Sequence, residues 1–220
     1  PQNATEIAYE TAKALGTEHY AKVISRDEFF DSLPKAVWHQ DEPLADPSAI
    51  ALYHLAKLAR EHVTVVLSGE GADELFGGYR IYREPLALRP FSWLPRPVQI
   101  MLNRLIRRIP LSFKGKNYLL RATTPLEERF LGNARIFGEE LKEKLVHVDP
   151  ELLATYINPV QVARPFYERT KHLDPISRMQ YIDLNLWLPG DILMKADKMT
   201  MAHSLELRVP FLDRDVFDLA

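Results

Sequence analysis

Val63-Thr64-Val65-Val66-Leu67 is a β-branched apolar run, and positions 69–78 just beyond it carry four of the chain's 9 glycines, Gly69, Gly71, Gly77 and Gly78. This pairing restricts the fold more than any other feature of the 220 residues. A continuous run of this kind suits a strand buried on both faces of a parallel sheet. In open α/β sheets, ligands bind beyond the carboxyl ends of strands, where a tight turn aims N–H groups at an anion. Glycine lets that backbone approach without a Cβ in the way.

The flanking sequence supports an α/β reading. Asn3 and Glu6 form a capping-box pattern, with Ile7, Ala8, Ala12 and Leu15 on one helical face and Gly16 at its close. Residues 19–25 read as a short strand. Ser25 and Glu28 open a second helix carrying Phe29, Phe30, Leu33 and Val37, interrupted at Pro34. Asp46-Pro47 is a cap and first-turn pair for a third helix with Ile50, Leu52, Leu55 and Leu58 as its apolar positions. Beyond residue 79 the chain reads as mainly helical. Pro97 starts a helix with Val98, Met101, Leu105 and Ile109 on one side. Thr124-Pro125-Leu126-Glu127 has a capping-box pattern, and Asp149-Pro150 and Asp174-Pro175 repeat the cap-plus-proline device, which accounts for many of the 16 prolines. The expected division is a 1–79 α/β part and an 80–220 helical part.

Composition removes several functions. The 28 Lys and Arg against 30 Asp and Glu leave a net charge of −2, which disfavours a non-specific nucleic-acid binder or a polybasic membrane-surface protein. No apolar run approaches the ~20 residues a spanning helix requires. The absence of cysteine excludes disulfides, thiolate zinc sites and a cysteine nucleophile within these residues, and no HExxH pattern occurs. Pro1 and the helix-like 218–220 end suggest a piece of a longer chain; a cytoplasmic location is the default where no targeting pattern is visible.

The glycines alone leave two readings open, a phosphate cradle and an ordinary strand-to-helix turn. The pattern is neither Gly-Lys-Ser/Thr nor a full G-x-G-x-x-G. Glu70, Asp73 and Glu74 crowd within five residues with no Lys or Arg between them. Clustered carboxylates must protonate, splay or share a cation, and Mg²⁺ is commonly held by one or two carboxylates plus substrate phosphates. Glu74 is better read as a complement to the next helix's dipole, and Glu70 as functional. Two further segments stand out. Asp41-Glu42-Pro43-Leu44-Ala45-Asp46-Pro47-Ser48 is a rigid acidic loop. In the 188–199 stretch, Asp191, Lys195 and Lys198 share a helical stripe, which fits a surface ion-pair face as well as a ligand-facing one. Arg104, Arg107 and Arg108 read as a solvated helix face, and Ser32-Leu33-Pro34-Lys35 as a chance Ser-x-x-Lys match.

Ser68-Gly69-Glu70-Gly71-Ala72-Asp73-Glu74-Leu75-Phe76-Gly77-Gly78-Tyr79, the 191–198 segment and Ser204-Leu205-Glu206-Leu207-Arg208-Val209-Pro210-Phe211-Leu212-Asp213, in that order, resemble the synthetase domain of glutamine-hydrolysing asparagine synthetases. The 41–48 loop and the 114–128 stretch resemble its bacterial members, so the likeness spans nearly the whole chain. The resemblance implies an adenine-nucleotide α-hydrolase (ATP pyrophosphatase) fold, ATP and Mg²⁺ as cofactors, and amidation of aspartate through β-aspartyl-AMP. It implies that Ser68, Gly69 and Gly71 contact ATP or pyrophosphate and that Asp73 binds Mg²⁺. Glu70 would lie by the acyl-adenylate and position or deprotonate the amine, and Asp191 and Lys195 would line the same pocket.

The resemblance also implies an N-terminal glutaminase domain in the parent chain that supplies ammonia from glutamine. The family's Ser-Gly-Gly-x-Asp-Ser loop would lie upstream of Pro1, and a pyrophosphate lysine beyond Ala220, so this piece alone is expected to be inactive. Neither nucleic acid nor membrane is an expected partner, and a homodimer is admitted as an assembly. The alternatives are a related adenylating amidotransferase or cyclase acting on another carboxylate, a non-catalytic interaction domain, and a phosphotransferase releasing ADP.

Overall fold

Local capping chemistry sets the first helices. The computed structural model describes residues 4–42, 44, 46–109, 113–133, 139–145, 149, 151 and 154–220. Helix α1 (Ala4–Leu15) closes at Gly16, whose φ of +67° is open to glycine without strain. Its expected cap, Asn3, lies outside the described residues. Helix α2 (Arg26–Gln40) opens on a reciprocal capping box: Glu28 N donates to Ser25 Oγ at 3.2 Å, and Ser25 N donates to the Glu28 carboxylate at 2.9 Å. Helix α3 (Ser48–Arg60) starts one residue later than expected, with Ser48 N donating to Asp46 Oδ1 at 2.9 Å.

Several expectations fail where the outcome depends on neighbours. Residues 17–25 form no strand and are mostly exposed, because no other segment among the described residues offers them a ladder. Pro34 does not interrupt α2. The helix runs through it, giving up one backbone donor while the surrounding turns hold. The apolar run forms β1 (Val65–Leu67), which pairs in parallel with β2 (Glu206–Arg208) in the register Val65↔Glu206, Val66↔Leu207, Leu67↔Arg208. These two strands are the whole sheet among the described residues, so β1 is not buried on both faces: Leu67 is 72% exposed. The Thr124 capping box is also absent, since Thr124 Oγ1 donates back to Leu120 O at 2.7 Å. In the Arg96–Arg108 helix the buried residue is Ile106, whereas Met101 and Leu105 of the expected apolar face are exposed. Asp149 does accept from Glu151 N, and Asp174 accepts from Ile176 N and Ser177 N, as caps should.

The class is α/β, a small parallel sheet with a largely helical remainder. The chain divides into two compact units, one of Pro1–Ser68 with Met194–Arg208, the other of Gly69–Leu193 with Val209–Ala220. In the first, α2 buries Ser32, Ala36 and Gln40, spaced by four so that they share one face. Ala36, Ala49, Ile50 and Met199 form its core, where small alanines let α2, α3 and the Met194–Met201 helix pack together. In the second, Tyr82, Leu126, Phe130, Ala163, Tyr167, Met179 and Ile182 are buried together. Each large apolar side chain there contributes about 1.5–3 kcal/mol. The tyrosine hydroxyls are satisfied inside that core: Tyr167 donates to Phe130 O at 2.7 Å and Tyr82 to Asp183 Oδ2 at 2.6 Å. Asp183–Leu193 is a π-helix, a geometry rare at this length and concentrated at functional sites.

Candidate active site

The turn after β1 is built around glycines, of which Gly71 and Gly78 leave no room for a side chain. Ser68 ends the strand, half-buried, its N–H donating to Arg208 O at 2.9 Å. Gly69 is exposed, and nothing lies within 4 Å of where a Cβ would stand, so a ligand can reach the backbone there. Gly71 takes φ +89° at the start of helix α4 (Ala72–Phe76), and a Cβ on it would collide with the Leu212 side chain. The 68–79 and 204–213 motifs therefore meet through Leu212 on Gly71, and again through the edge-to-face pair Phe76–Phe211, centroids 6.2 Å apart.

The three acids of this turn take different positions. Glu70 is half-buried at the tip, between the two glycines. Asp73 is exposed, and a Cβ on Gly78 would fall on its Oδ1, so Gly78 makes room for the carboxylate. Gly78 N also donates to Asp73 O at 2.9 Å. Glu74 is buried at 1% exposure and accepts from Tyr79 OH at 2.8 Å. Glu74 stands in the first turn of α4, where an acid complements the helix dipole, and from its buried position it also anchors the turn. Burial and the Glu74 carboxylate both push the Tyr79 hydroxyl above its ordinary range, so Tyr79 stays a donor. Gln180 Nε2 completes the anchor, donating to Glu74 O at 2.9 Å and Leu75 O at 3.1 Å. The sequence gives no sign of Gln180, whereas Tyr79 closes the 68–79 motif.

In the other unit, two segments singled out separately in the sequence come together. Lys195 is 7% exposed, and its Nζ donates to Asp46 Oδ2 at 2.5 Å and to Ser48 Oγ at 2.9 Å. Lys198 Nζ donates to Asp41 Oδ2 at 2.7 Å, and Asp41 holds φ +58° at the end of α2. The acidic 41–48 loop is thus tied to the 194–201 helix by both of its lysines. Burial pushes the Asp46 carboxyl up, but bonds from Lys195 and Ser48 outweigh it and hold the group below its usual range. Asp191 belongs instead to the Gly69–Leu193 unit, where it is buried at 7% exposure within the π-helix.

Among the described residues no group of three His, Cys, Asp or Glu side chains could hold a metal by itself. Asp73 offers one accessible carboxylate beside exposed backbone, which suits Mg²⁺ carried largely by phosphates and water. No described helix is long and apolar enough to cross a membrane.

The model of the asparagine synthase family matches residues 2–220. The chain belongs to the asparagine synthase family. It is 53% identical to the glutamine-hydrolysing asparagine synthetase 1 of Bacillus subtilis strain 168, over 98% of this chain and 33% of that protein. A putative glutamine-hydrolysing asparagine synthetase of Mycobacterium tuberculosis strain H37Rv is 52% identical, over 98% of this chain and 32% of that protein. More distantly, amidase chyE of Penicillium rubens is 26% identical over 94% of this chain. The chain spans about a third of the length of the asparagine synthetases it matches. No solved structure matches it.

Proposed function

We propose that this chain is part of a carbon–nitrogen ligase that converts aspartate to asparagine through β-aspartyl-AMP, with ammonia released from glutamine in another domain of the parent protein. The observation that carries the reading is the glycine turn beyond β1, with Gly71 pressed on Leu212 and Asp73 exposed beside it, in a chain of the asparagine synthase family.

A carboxylate is a poor acyl donor, because hydroxide or oxide would have to leave. Attack of the aspartate β-carboxylate on the α-phosphorus of ATP expels pyrophosphate and creates a good leaving group, AMP. Ammonia then adds to the acyl carbon, and AMP departs with one of the original carboxylate oxygens. The Ser68 hydroxyl and the backbone N–H groups of Gly69 and Gly71 serve the phosphates, the two glycines because a close approach to backbone tolerates no Cβ. Bound by Asp73 and the phosphates, Mg²⁺ would supply neutralisation of the charge that develops there. Glu70 positions the incoming amine and accepts its proton, a role suited to a half-buried carboxylate. Lys195 and Asp191 are the further candidates. Asp46 and Ser48 hold the Lys195 Nζ in place.

The test uses the full-length parent enzyme with ATP, Mg²⁺, aspartate and either glutamine or ammonium, following AMP, ADP and asparagine. Equal amounts of AMP and asparagine, both lost in Glu70→Gln and Asp73→Asn, support the proposal. AMP formed only with a different carboxylate moves the substrate, and ADP as product rejects the mechanism.

A further inference from the structure

Four guanidinium groups line one cleft in the Gly69–Leu193 unit, away from the glycine turn along the chain. The cleft encloses about 880 Å³, within the size range of small-molecule sites. Arg107, Arg121, Arg129 and Arg164 line it together with Asn117, Gln161 and one acid, Glu128. They come from four helices, Arg96–Arg108, Lys116–Ala122, Leu126–Arg129 and Pro159–Arg169.

Part of this array is rigidly held. Arg129 is 12% exposed, with Nε donating to Glu84 Oε2 at 3.0 Å and Nη1 to Thr124 O at 2.9 Å. Arg121 pairs with the same Glu84 carboxylate. One carboxylate shared by two guanidiniums leaves a net positive charge behind the cleft wall. Glu128 lies 3.9 Å from Arg96, which is outside the cleft lining. Among the residues lining the cleft, four arginines stand beside a single acid, Glu128. Guanidinium forks match carboxylate and phosphate oxygens in pairs, and the amides of Asn117 and Gln161 add uncharged donors.

We propose that this cleft is a binding site for a small oligoanion, a molecule carrying two or more phosphate or carboxylate groups, distinct from the turn that serves ATP. The arginines supply charge and paired donors. The amides fix orientation, and Leu120 and Val160 give the ligand an apolar wall. The proposal does not depend on the ligase reading.

The experiment titrates citrate and, separately, inorganic tripolyphosphate into the full-length protein by calorimetry. The variants are Arg164→Glu, Gln161→Glu and, as a control at the glycine turn, Asp73→Asn, each checked for folding by circular dichroism. Saturable binding of either probe should weaken at least about tenfold in Arg164→Glu, the loss of one charge-assisted hydrogen bond with the charge reversed. It should weaken in Gln161→Glu and with added salt, and be retained in Asp73→Asn. Arg164-dependent binding of citrate alone identifies a carboxylate ligand, and of tripolyphosphate alone a phosphate ligand. Absence of saturable binding by both probes, or binding that Arg164→Glu leaves unchanged, overturns the proposal. Binding removed by Asp73→Asn and not by Arg164→Glu also overturns it, by assigning the anion to the glycine turn.

Discussion

Replacing Asp46 with alanine should loosen the Met194–Met201 helix far more than a surface ion pair would. Lys195 is 9% exposed at its side chain and Asp46 22%, so removing the carboxylate strands an ammonium with Ser48 Oγ as its one remaining side-chain acceptor among the described residues. Breaking a buried pair from one side costs about 3–5 kcal/mol. The partial exposure of Asp46 admits water and places this case near the lower end, about 3 kcal/mol. Loss of the Asp46 bond to Ser48 N adds about 1 kcal/mol at the start of α3. Native-state hydrogen exchange on the full-length protein reads both effects, as faster exchange of amides in 194–201 and in the first turn of α3. Asp46→Ala combined with Lys195→Met should cost less than the sum of the single changes by about 1–3 kcal/mol, because the double variant leaves no stranded charge. The pH dependence follows from the depressed Asp46 carboxyl. Its stabilisation is complete above the usual carboxylate range and is lost as pH falls through the lower folded value. Additive single and double effects, or exchange in 194–201 that Asp46→Ala leaves unchanged, would refute the claim that this pair ties loop to helix.

Other consequences are equally direct. Gly71→Ala meets both a left-handed φ of +89° and the Leu212 side chain, so it should destabilise by about 2–5 kcal/mol and abolish nucleotide binding, as read by thermal melting with and without ATP. Gln180→Ala removes two donors to the backbone of the turn and should weaken ATP binding while the fold persists, which calorimetry would detect. Asp183 is fully buried, and burial, against the bond from Tyr82, pushes its carboxyl up to about 7. An acid raised in this way favours the folded state at low pH and loses that contribution as pH rises from its unfolded value to about 7. Melting temperatures measured across that window should show a fall that Asp183→Asn removes.

What was legible in the sequence was local. The capping box at Ser25, the Asp174 cap and the glycine turn depend on residues a few positions apart, and each formed as read. The strand expected at 19–25 failed because a strand requires a neighbour, and the sequence of the segment carries no information about whether one exists. For the same reason the burial expected of 63–67 did not follow from its β-branched side chains. The candidate site shows the same divide. Gly71 and Asp73 were visible as a glycine and an acid in one loop, but the contact with Leu212 and the anchor from Gln180 join residues more than a hundred positions apart. The 41–48 loop and the 191–198 segment each stand out in the sequence, but their pairing through Lys195 and Lys198 does not. Opposite charges in two segments do not by themselves say that the segments touch.

The proposed reaction turns on activation of the aspartate carboxylate by adenylation. The most direct measurement supplies the full-length enzyme with aspartate labelled by oxygen-18 in its β-carboxylate, together with ATP, Mg²⁺ and ammonium, and weighs the nucleotide product. Adenylation predicts one labelled oxygen in each AMP, asparagine in equal amount, and no label in pyrophosphate. Label appearing in inorganic phosphate beside ADP, or asparagine formed with unlabelled AMP, would contradict it.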